Sequence, residues 1–138
     1  MKYALDTNVV LRYLRNDMHA VKNINNALAN KHQLYIPKIV DYEVRRGFKL
    51  MRQPSPRKEE VYELLIQRCP VVEINNIVWE CAMDVYKDLY NKSFTVGELD
   101  ILIAAFYLVH ECALVTNNTK DFVNIERFML FDWTQSSL

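Results

Sequence analysis

Short apolar runs alternate with longer segments of helical spacing along the whole chain. Five runs have the length and composition of strands, at positions 2–5, 34–36, 71–74, 113–116 and 128–131. Between them, apolar residues recur every three or four positions, which predicts amphipathic helices. The first two helices are expected around 9–14 and 21–28, and the third from Pro37 to before Pro54. The fourth is expected to start at Ser55-Pro56, with Val61, Leu64 and Leu65 facing inward. Two more are expected at 77–90 and 98–110.

Strands that alternate with helices indicate βα units and a mostly parallel sheet covered on both faces. The pattern therefore predicts an α/β fold with four to five strands. No internal repeat or composition shift divides the chain, so residues 1–138 are expected to form one domain. In open α/β sheets, ligands bind beyond the carboxyl ends of the strands, and the polar residues there are the first candidates for a site.

Composition narrows the class of protein. Hydrophobic residues make up 51% of the 138 residues, and the formal net charge is zero. A uniformly basic nucleic-acid binder is therefore excluded, although a local basic strip remains possible. The three cysteines, Cys69, Cys81 and Cys112, have no disulfide or zinc spacing, and no apolar segment suits a signal peptide or a membrane span. We expect a cytoplasmic protein.

Two acids stand out at the predicted element boundaries. Asp6 ends the first strand, where it is either a functional carboxylate or simply the N-cap of the next helix. Asp100 lies just inside an apolar helix and shares a face with Ile103, Ala104 and Tyr107. A carboxylate on such a face needs a cation, a proton or hydrogen-bond donors, because burying it unpaired is costly. Thr95 and Glu98 have the spacing of a capping box, which explains Glu98 structurally.

Glu43 lies early in the helix that follows the second strand. Taken alone, it has the features of a solvated surface residue, whereas Asp41 lies nearer the helix start and suits a residue that compensates the helix dipole. Asp6, Glu43 and Asp100 nevertheless come from three distant segments that are all expected near one sheet edge. Carboxylate oxygens are the ligands that Mg²⁺ and Mn²⁺ prefer, so the three acids together predict a site for a divalent cation.

The same segments resemble a known family. The opening Ala-Leu-Asp-Thr-Asn-Val-Val-Leu, the internal Glu43, the segment Val-Gly-Glu-Leu-Asp-Ile-Leu-Ile-Ala-Ala and the late Leu-Val-Thr-Asn-Asn-Thr-Lys-Asp-Phe are similar to those of PIN-domain nucleases. The likeness is greatest to the VapC-type toxins of bacterial toxin–antitoxin pairs and spans almost the whole chain. It implies an α/β/α sandwich, a ribonuclease that uses Mg²⁺ or Mn²⁺, dimerisation, and an antitoxin that inserts a peptide near the active site.

Residue by residue, the resemblance assigns the family's first three acids to Asp6, Glu43 and Asp100. Many members carry a fourth acid two residues after the late threonine, where this chain has Asn118. Asp121 and Asn118 are the alternatives for this position, with Asn117 as a further group that orients water or binds phosphate. In the expected mechanism, Asp6 and Asp100 hold the principal metal ion, and Glu43 holds a second ion or orients the attacking water.

RNA binding near this cluster requires cations. Arg45, Lys49 and Arg52 recur on one side of the Glu43 helix, Arg46 is adjacent, and Arg12 and Arg15 follow the Asp6 strand. Either these residues form a phosphate-binding strip, or they are an ordinary solvated helix face. We single out Arg12, Arg45, Arg46 and Lys49 as RNA-binding candidates.

Two other classes of protein compete with the nuclease. One is a non-catalytic PIN-like module that binds RNA or protein and whose acids are structural, an alternative that the asparagine at position 118 favours. The other is a response-regulator-like or nucleotide-binding domain. The chain lacks a glycine-rich phosphate loop, which argues against this second alternative.

Overall fold

A computed structural model describes residues 1–117, 119–122, 125 and 129–135 of the chain. Five parallel strands and six α-helices occur there, in the order β1 Lys2–Leu5, α1 Thr7–Leu14, α2 Met18–Ala29, β2 Gln33–Pro37, α3 Lys38–Leu50, α4 Pro56–Arg68, β3 Val71–Val72, α5 Asn76–Asn91, α6 Glu98–His110, β4 Ala113–Val115 and β5 Leu130–Phe131. A short 3-10 helix, Thr119–Asp121, lies between β4 and β5. The α/β fold predicted from the sequence is confirmed.

The sheet has the strand order β3-β2-β1-β4-β5, and every neighbouring pair is parallel. In the central strand, Ala4 is paired with Tyr35 of β2 on one side and with Leu114 of β4 on the other. The chain moves outward from β1 to β2 and β3, then returns to the other side of β1 for β4 and β5. The carboxyl ends of β1 and β4 therefore flank the switch point of the sheet, where ligands bind in such folds.

Both faces of the sheet are covered. Successive side chains of a strand point to opposite faces, and Tyr3, Ala4 and Leu5 of β1 are all buried, as are the three residues of β4. The predicted sandwich of helices around the sheet follows from this burial. Over the residues that the structure describes, no helix is both long enough and apolar enough to cross a membrane.

Several local predictions are wrong. The third strand is shorter than expected and ends at Val72, and the fifth comprises Leu130–Phe131, while Phe128 lies outside the described residues. Leu64 was expected to face inward but is 56% exposed. The reason is that α4 buries the stripe formed by Tyr62, Leu65 and the adjoining Cys69, which turns Leu64 outward.

Two predicted helix N-caps differ from the structure, although α6 begins at Glu98 as expected. Helix α6 begins at Glu98 with Gly97 as its N-cap, and no side chain caps it, so Thr95 and Glu98 do not form the predicted capping box. Pro37 is the last residue of β2 and the N-cap of α3, which begins at Lys38. These shifts are of two residues and one residue, and neither moves Glu43 or Asp100 off its helix.

Candidate active site

Asp6 occupies the switch point of the sheet. It follows Leu5 directly, and its backbone N–H donates to the carbonyl of Val115, the last residue of β4, at 2.9 Å. Its position is therefore fixed by the strand pairing itself. Only 4% of the residue is exposed. The prediction that Asp6 lies at the carboxyl edge of the sheet is confirmed.

Four hydrogen bonds hold the polar groups around this carboxylate. Oδ1 of Asp6 accepts from the backbone N–H of Thr7 at 2.7 Å, so Asp6 is also the N-cap of α1, as its sequence position allowed. Oδ2 accepts from the hydroxyl of Thr116 at 2.7 Å and from the side-chain amide of Asn8 at 3.1 Å. The carbonyl oxygen of that amide accepts from the backbone N–H of Asn117 at 3.1 Å.

The electrostatic setting of Asp6 is unusual for a surface cap. Burial raises the pKa of its carboxyl above the ordinary 3.8, the hydrogen bonds from Thr116 and Thr7 oppose this, and the charge of Glu43 raises it further. Among the described residues, the groups that donate to Asp6 are all neutral. A buried carboxylate without a cationic partner beside a second carboxylate is a setting that a bound cation would stabilise.

Glu43 belongs to the second turn of α3, the helix that follows β2. Its Oε1 accepts a 2.7 Å hydrogen bond from the hydroxyl of Thr7, and its Oε2 lies 3.9 Å from Nη2 of Arg46. The side chain is 20% exposed, so the interpretation of Glu43 as a freely solvated residue is wrong. Through Thr7, the structure joins Glu43 to Asp6 as the sequence predicted.

Asp100 lies in the first turn of α6 and is half-buried. Helix α6 leads into the start of β4 and packs against α3 and β4, so its first turn faces the edge at which β4 ends. A Cβ at the neighbouring Gly97 would meet Asp100 Oδ2 at 3.7 Å, an ordinary van der Waals contact, so the carboxylate of Asp100 lies beside the N-cap of α6. The grouping of Asp100 with Asp6 and Glu43 stays a prediction.

The cation site itself remains a prediction. Within residues 1–117 and the later described segments, no group of three or more His, Cys, Asp or Glu side chains is arranged closely enough to hold a metal ion. The residue types nevertheless fit a hard cation, because Asp6 and Glu43 supply anionic oxygens that are held by neutral donors. Asn118 lies outside the described residues, and Asp121 ends the 3-10 helix, so the fourth position also stays a prediction.

The structure separates the predicted basic residues into two kinds. Nε of Arg45 lies 2.9 Å from Asp41, and its Nη1 lies 2.8 Å from Glu63, so its charge is already paired. Arg12 lies 3.4 Å from Asp17, the N-cap of α2. Arg45 therefore links α3 to α4, and Arg12 pairs with the residue that caps α2.

Arg46 and Lys49 differ from this pair. The guanidinium of Arg46 packs over the exposed ring of Tyr42 at 5.1 Å and reaches towards Glu43. Lys49 is exposed on the same helix face, where these side chains line a cavity of about 440 Å³. Of the four RNA-binding candidates, Arg46 and Lys49 make no hydrogen bond to an acid among the described contacts, although Arg45 lines the same cavity.

Asp41 has a different role from the one expected. The prediction of an acid that only compensates the helix dipole is incomplete, because Asp41 is 2% exposed and accepts from Lys38, Arg45 and the buried hydroxyl of Tyr62. Burial alone would raise the pKa of Asp41, but these hydrogen bonds outweigh it and leave the pKa below 3.8. Asp41 thus fastens α3 to α4 and is not part of the acid cluster.

Sequence reasoning missed the hydroxyl and amide groups that surround the acids. These groups belong to Thr7 and Asn8, which follow Asp6, and to Thr116, the last residue of the predicted strand at 113–116. One available signal was that Thr116 ends a strand predicted to be parallel to the strand of Asp6. Residues at the same edge of neighbouring strands are within reach of each other.

A model of the PIN domain matches residues 3–127 of this chain. The chain therefore belongs to the PIN domain family. Among curated proteins, it is similar to Ribonuclease VapC2 of Rickettsia felis, with 24% identity over 133 residues that cover 96% of this chain and 98% of the relative. It is also similar to the tRNA(fMet)-specific endonuclease VapC of Shigella flexneri, with 24% identity over 134 residues, 97% of this chain and 99% of the relative.

Solved structures agree on the fold. The chain matches a crystal structure of VapBC2 from Rickettsia felis bound to a promoter DNA fragment with a TM-score of 0.88, 22% identity, and coverage of 96% of this chain and 99% of that one. It matches VapBC-1 from nontypeable Haemophilus influenzae with a TM-score of 0.84, 25% identity, and coverage of 98% and 100%. The PIN-like α/β fold predicted from the sequence is confirmed.

Proposed function

We propose that the chain is an endoribonuclease that hydrolyses RNA phosphodiester bonds with Mg²⁺ or Mn²⁺ and acts as the toxin of a type II toxin–antitoxin pair. The observation that supports this most is the setting of Asp6. Its buried carboxylate lies at the switch point of the sheet, is held by neutral donors, and is linked through Thr7 to Glu43. Similarity over nearly the whole chain to proteins named as VapC ribonucleases supports the reaction class.

The proposed cation site consists of Asp6 and Asp100, with Glu43 either at a second ion or on the attacking water. Asn118 or Asp121 would complete the set of residues around the cation. A divalent ion at such a site provides a nucleophile from water at neutral pH and neutralises charge that develops on the phosphate. Hydrolysis then adds the elements of water across the phosphodiester, with no covalent enzyme intermediate.

Neutral side-chain and backbone groups of the chain hold the Asp6 carboxylate in place for this reaction. Thr116 and Asn8 fix the Asp6 carboxylate through Oδ2, while Thr7 fixes Oδ1 through its backbone N–H. The partners are neutral, so the carboxylate keeps its charge for the cation. The burial of Asp6 excludes bulk water from one side of the site and strengthens the electrostatic interactions there.

For the RNA strand, we propose a path along α3 past Arg46 and Lys49. Both are exposed, follow Glu43 on the same helix, and carry charges that are not held by a hydrogen-bonded acid at short range among the described contacts. The exposed ring of Tyr42 offers a stacking surface next to Arg46. Arg45 contributes little to RNA contact in this proposal, because Asp41 and Glu63 already pair with it.

Two protein partners belong to the proposal. Solved neighbours are toxin–antitoxin complexes, which supports a cognate antitoxin for this chain.

A second copy of the chain is the other proposed partner. Large apolar side chains on α5 recur on one stripe, with exposures of 46% at Trp79, 64% at Met83, 50% at Tyr86 and 73% at Tyr90. Such a patch is unusual for a monomer, and an uncharged stripe is complementary to itself across a twofold axis.

The function is tested by incubating the purified protein with a pool of tRNA and mRNA. We expect cleavage that depends on Mn²⁺ or Mg²⁺, stops with EDTA, and falls at least ~100-fold in the Asp6→Asn variant. An Asp84→Asn variant, which removes an exposed carboxylate of α5, is the matched control and should cleave normally. Tight RNA binding without any cleavage under all metal conditions would instead favour the non-catalytic module.

A further inference from the structure

Thr7 contacts both of the acids that the structure brings together. Its backbone N–H donates to Oδ1 of Asp6 at 2.7 Å, and its hydroxyl donates to Oε1 of Glu43, also at 2.7 Å. The first contact caps α1, while the second crosses to α3 and joins residues that are 36 positions apart in the sequence. The N-terminus of α1 is therefore connected to both carboxylates through a single residue.

We propose that the hydroxyl of Thr7 is a positioning group that holds Glu43 beside Asp6 in the arrangement that a divalent cation requires. This inference rests on the proposed function, because it assigns a role within the same cation site. A neutral hydroxyl suits the task. It fixes the direction of the Glu43 carboxylate without cancelling its charge, whereas a lysine or arginine there would consume the charge that the cation needs.

Helix capping does not account for this hydroxyl. The N-cap of α1 is Asp6, and the side chain of Asp6 already accepts from the first helical N–H. The Thr7 side chain is half-buried and points its donor at another helix instead. Because threonine is branched at Cβ, few rotamers are open to it, and the position of the hydroxyl is well defined.

The other contact of Glu43 is too long to replace this one. Arg46 Nη2 lies 3.9 Å from Oε2, which is beyond hydrogen-bond distance and leaves an ion pair without a directional bond. The exposed arginine also packs over Tyr42, which competes for its position. Thr7 therefore sets the orientation of Glu43, and Arg46 supplies only a nearby charge.

The test measures Mn²⁺ binding to the intact protein by electron paramagnetic resonance or calorimetry, with no RNA present. Thr7→Val keeps the shape and loses the hydroxyl, and we expect its Mn²⁺ affinity to fall about tenfold, in the range known for outer-sphere partners of metal ligands. Thr7→Ser restores the donor and should bind nearly as well as the natural chain. If Thr7→Val does not fold, Thr7→Ala is used and should show the same loss.

A matched control is available at the other end of the chain. Thr134 also donates its hydroxyl to a carboxylate, Oδ1 of Asp132, at 2.6 Å. Thr134→Val removes a bond of the same kind away from the acids and should leave the Mn²⁺ affinity unchanged. An equal loss in Thr7→Val and Thr134→Val would mean that the effect is general destabilisation, and would overturn the inference.

A double-mutant cycle with Glu43→Gln separates this inference from the proposed function. If Thr7 acts through Glu43, then Thr7→Val should cause little further loss in the Glu43→Gln background. The same tenfold loss there, or no loss in the single variant, overturns the role of Thr7 while leaving the site intact. Absence of Mn²⁺ binding by the natural chain, or binding that survives Asp6→Asn, overturns the proposed cation site and the inference with it.

Discussion

The hydroxyl of Thr116 donates a 2.7 Å hydrogen bond to Oδ2 of Asp6, which joins two strand ends that are 110 residues apart in the sequence. Both residues are buried at the carboxyl edge of the sheet. The bond lowers the pKa of the carboxyl and so opposes the effect of burial, which raises it. Thr116 thus helps the buried Asp6 to stay ionised, which a metal ligand requires.

Replacing Thr116 with valine should therefore affect both stability and the site. We expect Thr116→Val to lower the free energy of unfolding by about 1–2 kcal/mol, since it leaves a buried charged acceptor with one donor fewer. RNA cleavage should fall, and its dependence on pH should shift towards higher pH because Asp6 holds its proton more tightly. Urea unfolding and cleavage rates across pH provide the measurements. Thr116→Ser should restore both properties, and an unchanged pH dependence in the valine variant would argue against this role.

Asp41 is expected to affect the free energy of unfolding and not the rate of RNA cleavage. Asp41→Asn removes a buried charge that Lys38, Arg45 and Tyr62 share, and we expect a loss of about 2 kcal/mol in the free energy of unfolding. Cleavage per folded molecule should remain close to normal. The exposed Asp84→Asn is the control for both measurements. Complete loss of cleavage in folded Asp41→Asn protein would place Asp41 in the active site.

The basic residues of α3 should fall into two groups when RNA binding of their variants is measured. In an Asp6→Asn background that cannot cleave, Arg46→Gln and Lys49→Gln should each weaken RNA binding and reduce the salt slope by about 1, as expected for a lost phosphate contact. Arg45→Gln should instead lower stability, because its partners Asp41 and Glu63 lose their cation. Arg57→Gln, which changes an exposed residue of α4, is the control. A larger binding loss from Arg45 than from Arg46 would reverse this assignment.

His110 makes the fold sensitive to mild acid. Burial lowers the pKa of its ring below the ordinary 6.5, with a further contribution from the charge of Lys2, and among the described side chains its Nε2 is a buried atom without a hydrogen-bond partner. Because the unfolded chain binds this proton more readily than the folded chain does, folding stability should fall as the pH drops below about 6.5, the ordinary pKa of histidine. His110→Phe should flatten this part of the stability profile. An identical profile in both proteins would show that other groups cause the acid sensitivity.

The apolar stripe of α5 should control oligomeric state. Tyr86→Glu places a charge in its centre and should convert a dimer to a monomer in sedimentation velocity experiments. Leu64→Glu adds the same charge at a separate exposed apolar residue and serves as the control. A natural chain that sediments as a monomer at all concentrations would contradict the proposed dimer.

The sequence was sufficient for the parts of the molecule that depend on local periodicity. The strand before Asp6, the helix of Glu43 and the apolar helix of Asp100 were all predicted in their correct places, because each has a clear hydrophobic pattern and a turn signal. The parallel pairing followed from the alternation of elements, whereas the strand order was first seen in the structure. The position of Asp6 at the sheet edge was a direct consequence.

The rest could not be predicted because it depends on contacts between distant residues. Nothing local distinguishes Asp41, which is buried against Tyr62, from an ordinary acid near a helix start. Leu64 and Leu65 are neighbours, and the choice between them depends on which face of α4 meets α3. The hydrogen bond from Thr7 to Glu43 needs two helices to pack at a particular distance, and spacing in the sequence does not specify that distance.

The location of a bound Mn²⁺ ion decides whether Asp6, Glu43 and Asp100 share a divalent cation. Crystals grown with Mn²⁺ and measured at a wavelength that reveals manganese should show an anomalous peak at the carboxyl edge of the sheet, with oxygens of Asp6 and Asp100 at roughly 2.1 Å and Glu43 in the same shell or one water away. A peak at any other part of the surface, or no peak beside Asp6 at saturating Mn²⁺, would contradict the proposed site.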